Sequence, residues 1–425
     1  MNSRPGRSLA TFATLAGLAL ATGVAAPLSA AGSLVVRGGV VYTMDGPPIE
    51  DGVVVVRDGR IVAVGPAGEV DVPEGLPLLE AAVVTPGLVD AHTVVGLAGY
   101  LNQAHDQDQL EESEPVQPHL RAIDGYDARE PLVAWLRAFG VTTIHTGHGP
   151  GNLVSGQTMI AKTRGNTVEE AVVVEEAMVA ATLGEGAIEE EKKAPGTRSK
   201  AAAMLRADLV AAGEYRDKRR RAAEAPPARG AEKALEPPDR DLRLEALLPV
   251  LAGDVPLLVT VNRHQDIMTA LRIAREFDLR LVLDGASDAH LLVEEIRAAG
   301  VPVILHPPMQ RAVGERENAS LEAPRILVDA GIPVALQSGY ESYVPKTRVV
   351  LFEAAIAAAH GLGFERALAT ITRDAAAILG VGDRVGSLAV GKDGDLALYD
   401  GDPFEYTTHC VGTVIEGEVV SDEKR

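Results

Sequence analysis

Val83-Val84-Thr85-Pro86-Gly87-Leu88-Val89-Asp90-Ala91-His92-Thr93-Val94-Val95-Gly96 is the stretch where one pattern of sequence gives way to another. Upstream, Leu34-Val35-Val36, Val40-Val41-Tyr42, Val53 to Val56 and Ile61 to Val64 are short β-branched runs. The pair Asp58-Gly59 supplies a tight turn, and the pattern predicts a meander of hairpins. Downstream, helical periods alternate with apolar strands. Leu132 to Phe139 precedes Val141 to Ile144, Ile267 to Phe277 precedes Leu279 to Leu283, Ala289 to Ala299 precedes Val301 to Leu305, and Pro324 to Ala330 precedes Ile332 to Leu336.

Strands that are apolar on both faces and alternate with helices imply a parallel sheet covered on each side. Residues 85–384 are more than a doubly wound sheet usually needs, and they predict a (β/α)8 TIM-type barrel. The texture of the first strands returns at Ser387 to Val390, Asp395 to Tyr399 and Val411 to Val420, with a turn at Glu416-Gly417. Residues 32–84 and 385–425 therefore predict a small composite β-sandwich domain formed from both chain ends. Within the barrel, Glu189-Glu190-Glu191-Lys192-Lys193, Lys218-Arg219-Arg220-Arg221 and Pro226-Pro227 crowd into residues 185–245. Charge blocks and prolines of this kind predict an inserted solvated helix and linker.

The first residues have the composition of an address label. Arg4 and Arg7 precede the apolar run Leu9 to Leu20, and Ser29-Ala30-Ala31 offers the small residues that signal peptidase requires. Residues 1–31 are expected to be a cleaved signal peptide, which places the mature chain in the periplasm or outside the cell. No second long apolar run follows, so no membrane span is expected after cleavage.

Of 425 residues, 60 are Asp or Glu against 40 Lys or Arg, and the net charge of -20 repels nucleic-acid backbones and anionic lipid. The single cysteine, Cys410, excludes an internal disulfide and a thiolate metal cluster. Its place in an apolar strand predicts burial.

In a parallel barrel the site gathers at the C-terminal ends of the strands, which puts His92 at the first of them. There the sequence resembles the amidohydrolase superfamily, whose barrel-opening motif reads PGxxDxHxH. Arg384-Val385-Gly386-Ser387-Leu388-Ala389-Val390-Gly391-Lys392-Asp393-Gly394-Asp395-Leu396 is similar to that superfamily's exit motif, RxGxLxxGxxADL. The two motifs stand in the right order at the right ends, and the likeness extends to the imidazolonepropionase-like branch. The resemblance implies a hydrolase of C–N bonds in cyclic or linear amides, with one or two divalent metals and a small-molecule substrate.

The ligand positions that the resemblance implies are mostly substituted. Two imidazoles at i and i+2 on a strand face the same way and grip one ion, but His92 is followed by Val94. Asn262 closes the fifth strand, Gly285 the sixth and Gly339 the eighth, where the family uses two histidines and an aspartate. Lys162 is the nearest counterpart of the family's bridging lysine. His145 and His148, beyond Val141 to Ile144, join His92 as a candidate set for one zinc or manganese ion. Asp284 and Glu341 stand near strand ends as candidate general bases. Three readings follow: a hydrolase on a residual metal site, an inactive periplasmic small-ligand-binding or scaffold protein on the same fold, and metal-independent chemistry in the same pocket.

Overall fold

The computed structural model describes residues 32–101, 103–188, 194–225, 236–340 and 349–425. The expected signal peptide and Glu341 lie outside the described residues. The chain opens with β1 (Leu34–Val41), β2 (Ile49–Arg57), β3 (Arg60–Pro66) and β4 (Leu78–Pro86). The turn joining β2 to β3 is Asp58-Gly59, with φ of 48° and 78°. Two positive φ values match the turn to the right-handed twist of the strands it joins. Leu34–Val36 and Val40–Tyr42, read as two strands, are one continuous strand apart from Tyr42, because Gly38 stays in the ladder opposite Gly52 and pairing resumes at Val40 opposite Glu50.

Among the described residues ten strands follow: β5 (Leu88–Thr93), β6 (Val141–Thr146), β7 (Val154–Gln157), β8 (Met159–Lys162), β9 (Val172–Val174), β10 (Val179–Thr182), β11 (Leu257–Val261), β12 (Leu281–Gly285), β13 (Val303–Leu305) and β14 (Val334–Leu336). The run β10-β11-β12-β13-β14 is parallel throughout, and β5 pairs parallel with β6. Thr93, at the end of β5, bridges Gly339 just past β14, which sets the first of these strands beside the last.

Successive residues of these strands enter different cores, as the two-residue period of a strand requires. Val89, Ile160, Ala180, Leu258, Val282, Ile304 and Ala335, from seven strands, form one buried cluster. Their alternates Leu88, Val179, Leu257, Val259, Leu281, Leu283, Val303 and Val334 pack outward against helices such as Pro131–Ala138 and His264–Phe277.

The chain returns in β15 (Leu396–Tyr399), β16 (Cys410–Ile415) and β17 (Glu418–Ser421), which join β1 to β4 in one seven-stranded sheet of order β17-β16-β15-β4-β1-β2-β3. Val36, Val54, Ile61, Val84, Leu396, Leu398 and Val414, drawn from both ends of the chain, share one apolar cluster on this sheet. Ser387 to Val390, expected as a strand, is irregular, and Leu388 fills this cluster from a loop. Cys410 is buried.

The charged insertion is built on a 27-residue helix, Arg198–Glu224, capped by Thr197. Ala201, Leu205, Leu209 and Ala212 recur on one face at helical spacing and are buried. The basic run beyond them lies on the solvent side, with Arg219 paired to Glu245 at 2.6 Å. Among the described residues no helix is long and apolar enough to cross a membrane.

Candidate functional site

A cavity of about 470 Å³ opens at the C-terminal ends of the strands, and His92, Thr260, Asn262, Asp284, His306 and Gln337 are among the residues lining it. His92 is the fifth residue of β5, and its Nδ1 lies 2.9 Å from Asp284 Oδ1. Both side chains are almost wholly buried. The remaining carboxylate capacity of Asp284 is taken by Thr260 Oγ1, which donates to Oδ2 at 2.6 Å, and by Gln337 Nε2, which donates to Oδ1 at 2.9 Å.

Burial opposes the charged form of His92, yet the adjacent Asp284 carboxylate outweighs it, and the imidazole pKa stands above its ordinary 6.5. Burial likewise opposes the charge on Asp284. The His92 ring, with the hydrogen bonds from Thr260 and Gln337, more than offsets it and holds the carboxyl below its usual 3.8. Because Nδ1 is committed to Asp284, His92 keeps Nε2 without a protein partner among the described residues.

Asp90, two residues before His92, takes the backbone N–H of Ser338 on Oδ1 at 3.0 Å. It ties the end of β5 to the segment after β14. Complete burial raises its pKa to about 6 against the hydrogen bonds from Ser338 and His92.

The structure does not gather His92, His145 and His148 into one centre. His145 lies beside His92, with ring centroids 5.5 Å apart. It donates from Nδ1 to the Ala91 carbonyl at 2.7 Å, and Thr158 Oγ1 stands 2.6 Å from its Nε2. Both nitrogens are thereby occupied. Burial, with the His92 charge adding to it, lowers its pKa to about 3, so the ring is neutral and has no lone pair left for a metal. His148 packs against β7, where its ring fills the space a Cβ on Gly156 would need. Among the described residues no group of three or more His, Cys, Asp or Glu side chains is arranged to hold a metal ion.

Lys162 is also accounted for elsewhere. Its Nζ pairs with Asp393 Oδ2 at 3.0 Å and with Asp395, all three being buried between β8 and the start of β15. Arg384 and Arg60 complete the network on Asp393.

The sequence alone points to Asp284 as a base but not to its pairing with His92. It gives no part to Thr260 or Gln337 as partners of that carboxylate, or to His306 beyond its place at a strand end. The signal available is position: each of these residues closes or follows a predicted strand.

Comparison with known proteins agrees with this architecture. Residues 277–421 match the profile of the Amidohydrolase family. The chain is 25% identical over 406 residues to the amidohydrolase tasK of Hapsidospora irregularis, covering 88% of this chain but only 40% of that protein. It is 28% identical over 387 residues to the imidazolonepropionase of Stenotrophomonas maltophilia (strain R551-3), covering 85% of this chain and 89% of that one. The crystal structure of an amidohydrolase from Thermotoga maritima MSB8 superposes with a TM-score of 0.84 at 28% identity, covering 92% of this chain and all of that one. These likenesses support the amidohydrolase superfamily, and within it the imidazolonepropionase-like branch, as the family of this chain.

Against the metal set that the superfamily resemblance implies, the residues present do not fit. Val94 has no donor atom. Asn262 accepts from Ser287 Oγ at 3.0 Å on its Oδ1, and a neutral amide is a poor ligand for zinc. Gly285 and Gly339 offer nothing, and both have φ of 72°, a conformation that side chains seldom adopt. A Cβ on Gly339 would stand 2.8 Å from Pro307 Cγ. The backbone at two of the four substituted positions is thus shaped for glycine.

Proposed function

We propose that this chain is an exported amidohydrolase-superfamily protein with a degenerate metal centre, acting on C–N bonds of small cyclic or linear amides without a bound metal. The observation that carries the reading is the His92–Asp284 pair on the wall of the cavity, where His92 Nδ1 is committed to a carboxylate and Nε2 has no partner among the described residues. In such a site His92 Nε2 takes a proton from water as the oxygen bonds to the amide carbonyl carbon. The C–N bond then breaks, and the same proton passes to the departing nitrogen. Asp284 orients the ring and stabilises the imidazolium between the two transfers.

The architecture proposed with it is a closed (β/α)8 barrel carrying a β-sandwich. The Thr93–Gly339 bridge and the apolar cluster shared by seven strands support the first. The cluster that gathers residues from β1 to β4, β15 and β16 supports the second. Location in the periplasm or outside the cell rests on the composition of residues 1–31.

A second reading, an inactive small-ligand-binding or scaffold protein, is favoured by the glycines at 285 and 339. One experiment separates the two. The purified chain is analysed for metal by elemental mass spectrometry and assayed against a panel of small amides, with and without chelator, beside His92→Ala. Chelator-resistant hydrolysis abolished by His92→Ala is the expected result. Hydrolysis lost on chelation overturns the metal-free reading, and binding of amides without turnover favours the second reading.

A further inference from the structure

We propose that His306 is a ligand-binding residue of this cavity, accepting at Nε2 an N–H of a small amide or ureide. The inference rests on the cavity reading above and extends it to a residue outside the positions where the superfamily resemblance implies metal ligands.

His306 follows β13 directly and is 1% exposed, yet it lines the cavity. Its Nδ1 stands 2.9 Å from the Pro307 carbonyl. A carbonyl can only accept, so Nδ1 carries the ring proton and Nε2 holds a bare lone pair. That atom has no partner among the described residues. A buried acceptor left unmade is costly, so a purely structural histidine would be expected to spend it on a neighbour. Burial lowers the ring's pKa to about 4 against the hydrogen bond to Pro307, with His290 and Arg316 adding their charge to the same effect. The lone pair therefore persists at neutral pH.

His92 has the same arrangement on the neighbouring wall: Nδ1 is paired with Asp284 and the buried Nε2 has no partner among the described residues. His306 thus presents a buried acceptor to the cavity, and His92 adds a second in its neutral form. Asn262 lines it as well, with Oδ1 occupied by Ser287, which leaves its N–H₂ as a donor for a carbonyl. Acceptors together with an amide donor complement a molecule whose N–H and C=O groups are adjacent, which is the defining feature of amides and ureides. A carboxylate ligand, with no proton to give, would face the His306 lone pair.

The test uses imidazolidin-2-one, a ureide with two N–H groups, and its 1,3-dimethyl derivative, which keeps the carbonyl and loses both donors. Binding to the full chain is measured by ligand-observed NMR titration at pH 7.5. The wild type, His306→Phe, His306→Gln and His92→Ala are compared, with melting curves to establish that each is folded. The expected result is binding of the parent ureide by wild type, a loss of about tenfold in His306→Phe, the worth of one hydrogen bond, and partial recovery in His306→Gln, whose carbonyl oxygen accepts. The dimethyl compound should bind wild type no better than the parent binds His306→Phe. Equal affinity for the two compounds, an unchanged folded His306→Phe, or no binding of the parent ureide overturns the inference. Failure confined to His306→Phe, with binding still lost in His92→Ala, removes His306 alone and leaves the cavity reading standing.

Discussion

Asp284 and His92 meet at the ends of β12 and β5, 192 positions apart in the chain, with Oδ1 and Nδ1 2.9 Å apart and both side chains almost wholly buried on the cavity wall. A buried ion pair contributes little relative to apolar residues of the same volume, but removing one partner strands the other, at about 3–5 kcal/mol. The raised pKa of His92 gives a share of stability that is complete below the imidazole's ordinary 6.5 and fades as pH climbs through the folded value. The lowered pKa of Asp284 gives a share present above 3.8 that fades as pH falls through its folded value. The pair is therefore at full strength between 3.8 and 6.5. Asp284→Asn should reduce unfolding free energy most in that interval, by up to the figure above, and the deficit should narrow at alkaline pH. Chemical denaturation at a series of pH values measures it, and a deficit that does not vary with pH contradicts the pairing.

Asp90 acts with the opposite sign. Its pKa of about 6 means that between 3.8 and 6 the folded chain retains a proton the unfolded chain has released, so stability falls as pH rises through that range. At about 1.4 kcal/mol per unit the loss reaches ~3 kcal/mol at neutral pH. Asn keeps the Oδ1 that accepts from the Ser338 N–H and cannot ionise. Asp90→Asn should therefore gain on wild type as pH goes from 4 to 7.5. Paired melting curves over that range decide it: a variant that declines in parallel with wild type contradicts the assignment.

The frame of the molecule was legible where backbone geometry restricts residue choice. Asp58-Gly59 and Glu416-Gly417 marked hairpins because both residues of each turn need positive φ, and the helix-then-strand repeats marked the parallel strands because burial on both faces demands apolar runs. Ser387 to Val390 has strand composition but forms no ladder; the Leu388 N–H bonds to the Thr43 carbonyl instead, and its side chain packs from a loop. The site was legible only as positions. That His92 belongs to Asp284, and that His145 spends its nitrogens on Ala91 and Thr158, depends on contacts between strands far apart in sequence, which no local spacing encodes. Lys162 reads as a possible bridging group from its order alone, yet Asp393 and Asp395, within the exit motif, take it.

That lysine gives a separate prediction. Lys162→Ala leaves Asp393 and Asp395 buried beside each other, with Arg384 and Arg60 still on Asp393. A loss of about 3–5 kcal/mol is expected. Replacing the three together by Met, Asn and Asn should recover much of it. Ligand affinity in the folded fraction should be unchanged, because Lys162 does not line the cavity. A single substitution that alters affinity without altering stability would place Lys162 in the site instead.

The glycines at 285 and 339 decide whether a metal centre can be restored by supplying its side chains. Both residues sit at φ of 72°, where an L side chain costs of order 1–2 kcal/mol. At Gly339 a Cβ also meets Pro307 Cγ at 2.8 Å, and at Gly285 it meets Asn262 Oδ1 at 3.2 Å. His92, the remaining imidazole, would have to release Asp284 or offer Nε2 alone. Gly285→His with Gly339→Asp and Val94→His should therefore lower the melting temperature of the chain and leave it without stoichiometric zinc after dialysis, even when expressed in zinc-supplemented medium. Melting curves and elemental mass spectrometry on the same preparation read both quantities. Tight zinc with unchanged stability would mean that the backbone at these two positions adapts freely, and that the substitutions alone account for the loss of the metal set.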